Sequence, residues 1–349
     1  MIYNPDVGTF GNVYCRFTIL YAGLIFTIAT MPLWLAYIIP DTIAIVNGIV
    51  LLIFSLTWLC IAYNALSNFY LLQKGPIPTI ESIETTRKRK FKHVIIVPCY
   101  LDPVDVLFDC LGTLMMQENV ENLLVVVAFE LKTPDVLLKQ ATVKAAFENK
   151  FGHLLITTHE VLRDKEIPGG CSNKNYALHQ AYAFLKQYNL IKDCSVTLTT
   201  CDTDTLFHPM YFNTLESVYN NDNPHMGEKP KMCVYQPPLF YNWDLDQRPF
   251  FNRITGIMRS MMMMGGLISF NLNPMSLFSY PLELGLLAGF VNPRYGVDDI
   301  IAKVRWMCAT NETVPVCLLP VPCISGPTIG TTFMEEVCVY VYGCVYIRY

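Results

Sequence analysis

Apolar residues run almost unbroken from Phe17 to Pro40 and again from Thr42 to Leu66. Each run exceeds the roughly 20 residues a helix needs to cross a bilayer. The Pro40-Asp41 step between them is a turn signal with room only for a tight helical hairpin. The pattern therefore predicts a short N-terminal segment (1–16) followed by two transmembrane helices (17–66). A secretory signal fits worse, because the first run lacks a basic leader and a second run follows at once. A pair of buried core helices is the bland alternative, and the lack of charge on every face of both runs argues against it.

From His93 onward the pattern shortens. Val94–Val97 (ending at Pro98), Leu123–Ala128, Leu154–Thr157 and Val196–Thr200 read as strands. Val104–Met116 and Ser172–Tyr188 read as helices, the second with Ser172 as its N-cap. Continuous apolar strands alternating with helices predict an α/β domain whose mostly parallel sheet is covered on both faces. Such sheets bind ligands beyond the carboxyl ends of their strands.

Composition supports a membrane part or a very large core. Of 349 residues 52% are hydrophobic and 15% charged, with a mean hydropathy of +0.33, against about 25% charged in an ordinary soluble domain. A net charge of -4 gives no reason to expect nucleic acid as a partner. The basic run Arg87-Lys88-Arg89-Lys90, with Lys92, follows the second apolar run, whereas the hairpin tip carries no basic residue. Basic flanks favour the cytoplasmic side, so an integral multi-pass protein with its body facing the cytosol is expected. Residues 67–92 then form a basic juxtamembrane linker able to touch anionic headgroups of the lipid bilayer. The 13 cysteines are scattered, odd in number and without a Cys-x-x-Cys pair, which suits free thiols in a reducing compartment. No Cys/His cluster has ligand spacing, so spacing gives no support for structural zinc. Met261–Met264 reads as part of an interfacial or core helix rather than a soft-metal site.

The chemistry gathers at the strand ends. The first strand runs into Pro98-Cys99-Tyr100-Leu101-Asp102-Pro103, a rigid turn offering an aromatic face and a carboxylate. The second ends near Glu130. The fourth ends in Thr200-Cys201-Asp202-Thr203-Asp204-Thr205, where side chains at i and i+2 share a face. Two carboxylates so close are costly unless a cation neutralises them, and Mg2+ typically takes one or two carboxylates besides phosphate and water. By itself an Asp-x-Asp pair is equally a capped loop. Gly169-Gly170-Cys171-Ser172-Asn173-Lys174-Asn175 is a flexible loop entering a helix, where backbone amides favour anions; an ordinary loop with one surface lysine is the other reading.

In combination these segments resemble the family 2 glycosyltransferases, the inverting membrane group that includes cellulose, chitin and hyaluronan synthases. The resemblance covers roughly His93 to Met307. Val97-Pro98-Cys99-Tyr100-Leu101-Asp102 is similar to the family's Pro-x-Tyr-Asn-Glu strand end, and Asn173-Lys174-Asn175-Tyr176-Ala177-Leu178 to its Lys-Ala-Gly-Ala-Leu-Asn segment. Cys201-Asp202-Thr203-Asp204 matches the Asp-x-Asp motif. Gln236-Pro237-Pro238-Leu239-Phe240-Tyr241-Asn242 resembles the Gln-Thr-Pro-x-x-Tyr-Asn strand, and Val297-Asp298-Asp299 the Thr-Glu-Asp position. The resemblance implies a Rossmann-like GT-A catalytic domain over 93–326, a UDP-sugar donor, Mg2+ or Mn2+, and a saccharide or lipid acceptor. It assigns Pro98, Tyr100, Asp102, Glu130, Lys174 and Asp202 to the nucleotide sugar, with Tyr100, Asp102 and Glu130 on the nucleobase and ribose side, and Asp204 with Asp202 to the metal on the diphosphate. Asp299 becomes the general base, with Gln236 and Asp298 on the acceptor side.

The sequence also departs from that pattern. Leu101 and Asp102 stand where Asn and Glu are usual, Glu130 replaces an Asp pair, and Lys-Asn-Tyr replaces Lys-Ala-Gly. Arg305-Trp306 lies only six residues past Asp299, too early for the Gln/Arg-x-x-Arg-Trp motif of processive members. The segment 327–349 reads as incomplete, so a C-terminally truncated chain is expected. Two alternatives follow: a catalytically inactive relative that binds a nucleotide sugar or partner proteins, and an enzyme joining sugar to a lipid phosphate.

Overall fold

The computed structural model describes residues 23–24, 26–27, 30–31, 37–74, 89–162, 165–223, 230–243, 246, 249–296 and 298–326. The segments 1–16 and 327–349, most of the first expected span, and 75–88 of the expected linker lie outside the described residues. The chain divides into two units, 1–63 and 64–349.

Helix α1 (Pro40–Lys74) is 35 residues long. Proline suits a first helical position because its missing N–H has no partner there anyway, and Ile39 O accepts the first bond, from Ile43 N at 3.0 Å. Between Pro40 and Gln73 this is the one helix, among the described residues, long and apolar enough to cross a membrane. It runs eight residues past the expected end at Leu66, since Ser67–Leu72 continue as a helix that packs on the second unit's own elements. There Asn64 Nδ2 and Asn68 Nδ2 donate to Gly265 O (3.3 Å) and Met264 O (2.7 Å).

The second unit is a mixed α/β domain. In chain order it contains β1 (Lys90–Cys99), α2 (Val104–Met115), β2 (Leu123–Glu130), α3 (Val136–Phe147), β3 (His153–His159), α4 (Gly170–Gln187), β4 (Cys194–Thr200) and α5 (Tyr211–Asp222). There follow β5 (Val234–Gln236), β6 (Leu239–Phe240), α6 (Phe250–Met262), β7 (Phe278–Pro281), α7 (Leu282–Ala288), α8 (Asp298–Thr310), β8 (Val316–Leu318) and β9 (Cys323–Ile324). Seven strands form one sheet in the order β3-β2-β1-β4-β7-β5-β8, and β6 pairs with β9. The first four strands are parallel, whereas β7 runs antiparallel to β4 and β5.

The strands alternate faces with period two. Ile95, Val97, Val125 and Val127 join Leu107, Leu111 and Phe212 in one core, and Val94, Ile96, Leu124 and Val126 join Leu178, Leu185 and Trp306 in the other. Every residue of β2 is buried, and each such aliphatic side chain contributes roughly 1.5–3 kcal/mol relative to exposure. Two cores, one on each face, explain why these strands show no polar alternation. β1 starts at Lys90, earlier than the apolar run, because Lys90, Phe91 and Lys92 pair with Cys194, Ser195 and Val196. Ser172 is not an N-cap: α4 begins at Gly170, and Ser172 Oγ donates to Gly169 O at 3.0 Å from inside the first turn.

Past α6 the helix widens into a π-type turn, Met263–Ile268, with Met263 and Met264 buried. A widened turn displaces carbonyls from their usual partners. Those of Met264 and Gly265 are the two that Asn68 and Asn64 capture.

Candidate active site

A cavity of about 450 Å³ opens beyond the carboxyl ends of β1, β2 and β4. Pro98, Tyr100, Asp102, Glu130, Asp202 and Asp204 all line it, so six of the residues singled out in the sequence share one pocket. Lys174, Asp298, Asp299 and Gln236 do not line it.

The turn after β1 is held by Thr203. Its hydroxyl donates to Pro98 O and to Asp102 Oδ2 (3.1 Å), and Tyr100 N donates to the same carboxylate oxygen at 3.3 Å. Thr203 thus ties the β1 end to the β4 end and leaves the exposed Tyr100 ring beside the pocket. At the end of β2, Glu130 Oε1 accepts a hydrogen bond from Gly169 N at 2.8 Å. Gly169 has φ 132°, a backbone setting side-chain-bearing residues rarely adopt. Asn173 Nδ2 donates to Ala128 O at 2.7 Å and fixes the first turn of α4 against β2.

Lys174 faces carboxylates. Its Nζ donates to Asp298 Oδ2 at 2.8 Å and Asp202 Oδ1 at 3.2 Å, with its side chain 4% exposed. Burial works against the ammonium, but Asp298 and Asp202 more than offset it and hold the lysine's pKa well above its usual value. Burial likewise opposes ionisation of Asp202, and the Lys174 charge and hydrogen bond nonetheless keep its carboxyl below the usual range. Asp298 is therefore an ion-pair partner of Lys174.

Asp204 differs. Burial, followed by the charge of Asp202, pushes its carboxyl up to about 7. Ser325 Oγ donates to Asp204 Oδ1 at 3.1 Å, and no ion pair reaches Asp204 among the described residues. Gly326 packs so closely that a Cβ there would lie 2.5 Å from Asp204 Oδ2. Asp299, in the first turn of α8, is pushed up to about 6, chiefly by burial and then by Asp298. Gln236 is fully buried. Its Nε2 donates to Pro237 O at 2.9 Å and its Oε1 accepts from Met275 N at 2.8 Å, so it anchors a loop.

The far wall carries Tyr241, from the Gln236–Asn242 segment, together with groups that motif spacing did not reveal: Arg259, Ser276, Ser325 and Gly326. Arg259 of α6 lies over the Tyr241 ring, 4.4 Å from its centroid, and its charge helps keep Asp202 ionised. Its position depends on where α6 packs, which no local sequence signal encodes.

No protein-family model matches the chain, and no curated protein sequence matches it. Among solved structures, the fold is similar to that of the mannosyltransferase PcManGT from Pyrobaculum calidifontis in complex with GDP-Man and Mn2+. The TM-score is 0.51 at 13% identity, over 86% of this chain and 74% of that one. A structure of S. aureus TarS 1-349 in complex with UDP-GlcNAc aligns at a TM-score of 0.41 and 14% identity, over 70% of this chain and 61% of that one. The chain has a mixed α/β fold of the glycosyltransferase kind, with a mostly parallel sheet.

Proposed function

We propose that this chain is a membrane-bound, metal-dependent glycosyltransferase that moves a sugar from a nucleotide-sugar donor, a UDP-sugar by motif, to a saccharide or lipid acceptor with inversion. One observation carries the reading: Asp202 and Asp204 face the same pocket as Tyr100, Asp102 and Glu130, in a fold shared with a mannosyltransferase.

The donor set fits a divalent cation. Asp204 is half-buried beside Asp202 and Asp102; loss of solvent first, and then the neighbouring carboxylate charges, raise its carboxyl, and Lys174 pairs only with Asp202 of the two. Asp204 would hold Mg2+ or Mn2+, with Asp202 beside it. When bound, such an ion stabilises negative charge on the departing diphosphate oxygens. Tyr100, Asp102 and Glu130 would bind the nucleoside, and Arg259, which lines the same pocket, would offer its guanidinium to the diphosphate. Asp299 would take the acceptor hydroxyl's proton as attack proceeds. A single displacement needs no covalent intermediate and inverts the anomeric centre.

The membrane reading rests on α1, whose apolar side chains such as Ile45, Leu51, Ile53 and Leu59 are exposed, and on Arg89, Lys90 and Lys92 further along the chain. The two-helix hairpin and the cytosolic orientation belong to this proposal. A reporter fusion after His93 read out on the non-cytosolic side would overturn the orientation. A second reading, a nucleotide-sugar-binding protein without turnover, is favoured by one feature: Lys174 already neutralises Asp202.

Nucleotide release from membranes, measured with a panel of UDP- and GDP-sugars with and without Mn2+, decides between them. Metal-stimulated release from one donor, abolished in Asp204→Asn, supports the enzyme; no release from any donor favours the second reading. Gly326→Ala tests the cradle around Asp204. The added methyl displaces that carboxylate, and Mn2+ affinity measured by electron paramagnetic resonance should fall about tenfold, as for disturbed shells around metal ligands.

A further inference from the structure

We propose that Asp222, Cys233 and Cys317 form a second metal site, structural in role, that takes a thiophilic divalent cation of the zinc type. Asp222 ends α5, Cys233 precedes β5, and Cys317 sits in β8 at the edge of the sheet. The ligand atoms of the three lie within 4.8 Å of one another. Cys233 Sγ and Asp222 Oδ2 are 3.7 Å apart. Tetrahedral zinc with Zn–S bonds of about 2.3 Å and a Zn–O bond of about 2.0 Å has sulfur–sulfur and sulfur–oxygen edges of roughly 3.5–3.8 Å, so this edge already has the required length. Two thiols and one carboxylate select zinc over Mg2+ or Mn2+.

The surroundings support the assignment. Lys231 Nζ pairs with Asp222 Oδ1 at 2.9 Å and leaves Oδ2 for the metal. Two thiolates, one carboxylate, a divalent cation and the lysine together sum to zero charge. Tyr235 Oη is buried and makes no hydrogen bond to an oxygen or nitrogen atom, yet it lies against Cys233. A neutral thiol is a weak acceptor, whereas a metal-bound thiolate accepts such a donor well and is oriented by it. Cys233 is fully buried while Cys317 and Asp222 are half-buried, which leaves an open side for water as the fourth ligand. Both thiols are free. Bound metal would join the end of α5, the start of β5 and β8, a strand that among the described residues is paired on one side only.

The test uses the full chain in detergent, reduced and stripped of metal, titrated with Co2+ as the probe. A thiolate-to-Co2+ charge-transfer band should appear at one equivalent, vanish on adding Zn2+, and resist a large excess of Mg2+. In Cys317→Ser and Asp222→Asn the Co2+ affinity should fall at least 100-fold, while Cys308→Ser, an exposed cysteine elsewhere, stays at wild type. Nucleotide-sugar binding by Cys317→Ser checks that the variant is folded. Absence of the band from the wild-type protein, its persistence in Cys317→Ser, or a Cys233–Cys317 disulfide in peptide maps of the isolated protein would each overturn the proposal.

Discussion

Asp299→Asn should lower the sugar-transfer rate by about 10²–10⁴-fold, the usual contribution of a positioned general base, with little change in donor KM. The amide keeps the shape of the side chain and the hydrogen bond at the start of α8, where Asp299 Oδ1 accepts from Ile300 N at 2.7 Å, but cannot take a proton. The wild-type pH profile carries the same assignment. A base must be ionised to act, and burial with the neighbouring Asp298 charge sets this carboxyl at about 6. Activity should therefore be level above that value and fall roughly tenfold per unit as pH drops below it. The residual rate of Asp299→Asn should lack this limb. A limb that persists in the variant assigns the proton transfer to another group.

Lys174→Met should unfold the domain more readily and abolish transfer. Removing one partner of a buried ion pair costs roughly 3–5 kcal/mol because the remaining charge is stranded. The lower end applies here, since the Asp202 side chain is 46% exposed. The pH dependence has a defined sign. The lowered Asp202 carboxyl contributes stability above its unfolded value near 3.8, and this is lost as pH falls through the folded value. The raised Lys174 ammonium contributes below its unfolded value near 10.5, and this is lost as pH rises through the folded value. The deficit of Lys174→Met, measured by denaturant unfolding without metal, should be greatest between those limits and close toward pH 3. Lys174→Met combined with Asp298→Asn should recover part of the stability without restoring transfer, which separates charge balance from catalysis. An unchanged midpoint in the single variant at neutral pH contradicts the assignment.

The four parallel strands were legible because burial on both faces leaves continuous apolar runs, as in Leu123–Ala128. The later strands were not. β5 to β9 are two to four residues long, interrupted by prolines, and defined by pairings such as Leu206 with Ile324 that only the folded chain brings together. Asp202 and Asp204 were readable as a pair at a strand end, and Tyr100, Asp102 and Glu130 lie where strand ends put them. Lys174 and Gln236 show the limit of motif reading. A motif fixes a place in the chain, but what a side chain faces depends on its neighbours, and here those are carboxylates and backbone. Arg259 and Ser325 enter the site through packing alone. The thiols of Cys233 and Cys317 meet for the same reason, which is why spacing gave no sign of them.

The hydrogen bond from Ser325 to Asp204 joins residues 121 positions apart, and this separation has a temporal meaning during synthesis. At roughly 5–20 residues per second a ribosome needs about 6–24 s to travel that distance. The β1–β4 half is already complete in sequence when Asp204 is made, whereas the groups that enclose its carboxylate are still untranslated. The nascent domain therefore passes through a stage in which the pocket wall carrying Tyr100, Asp102 and Glu130 is made while the Asp204 carboxylate is still open on the side that Ser325 and Gly326 later cover.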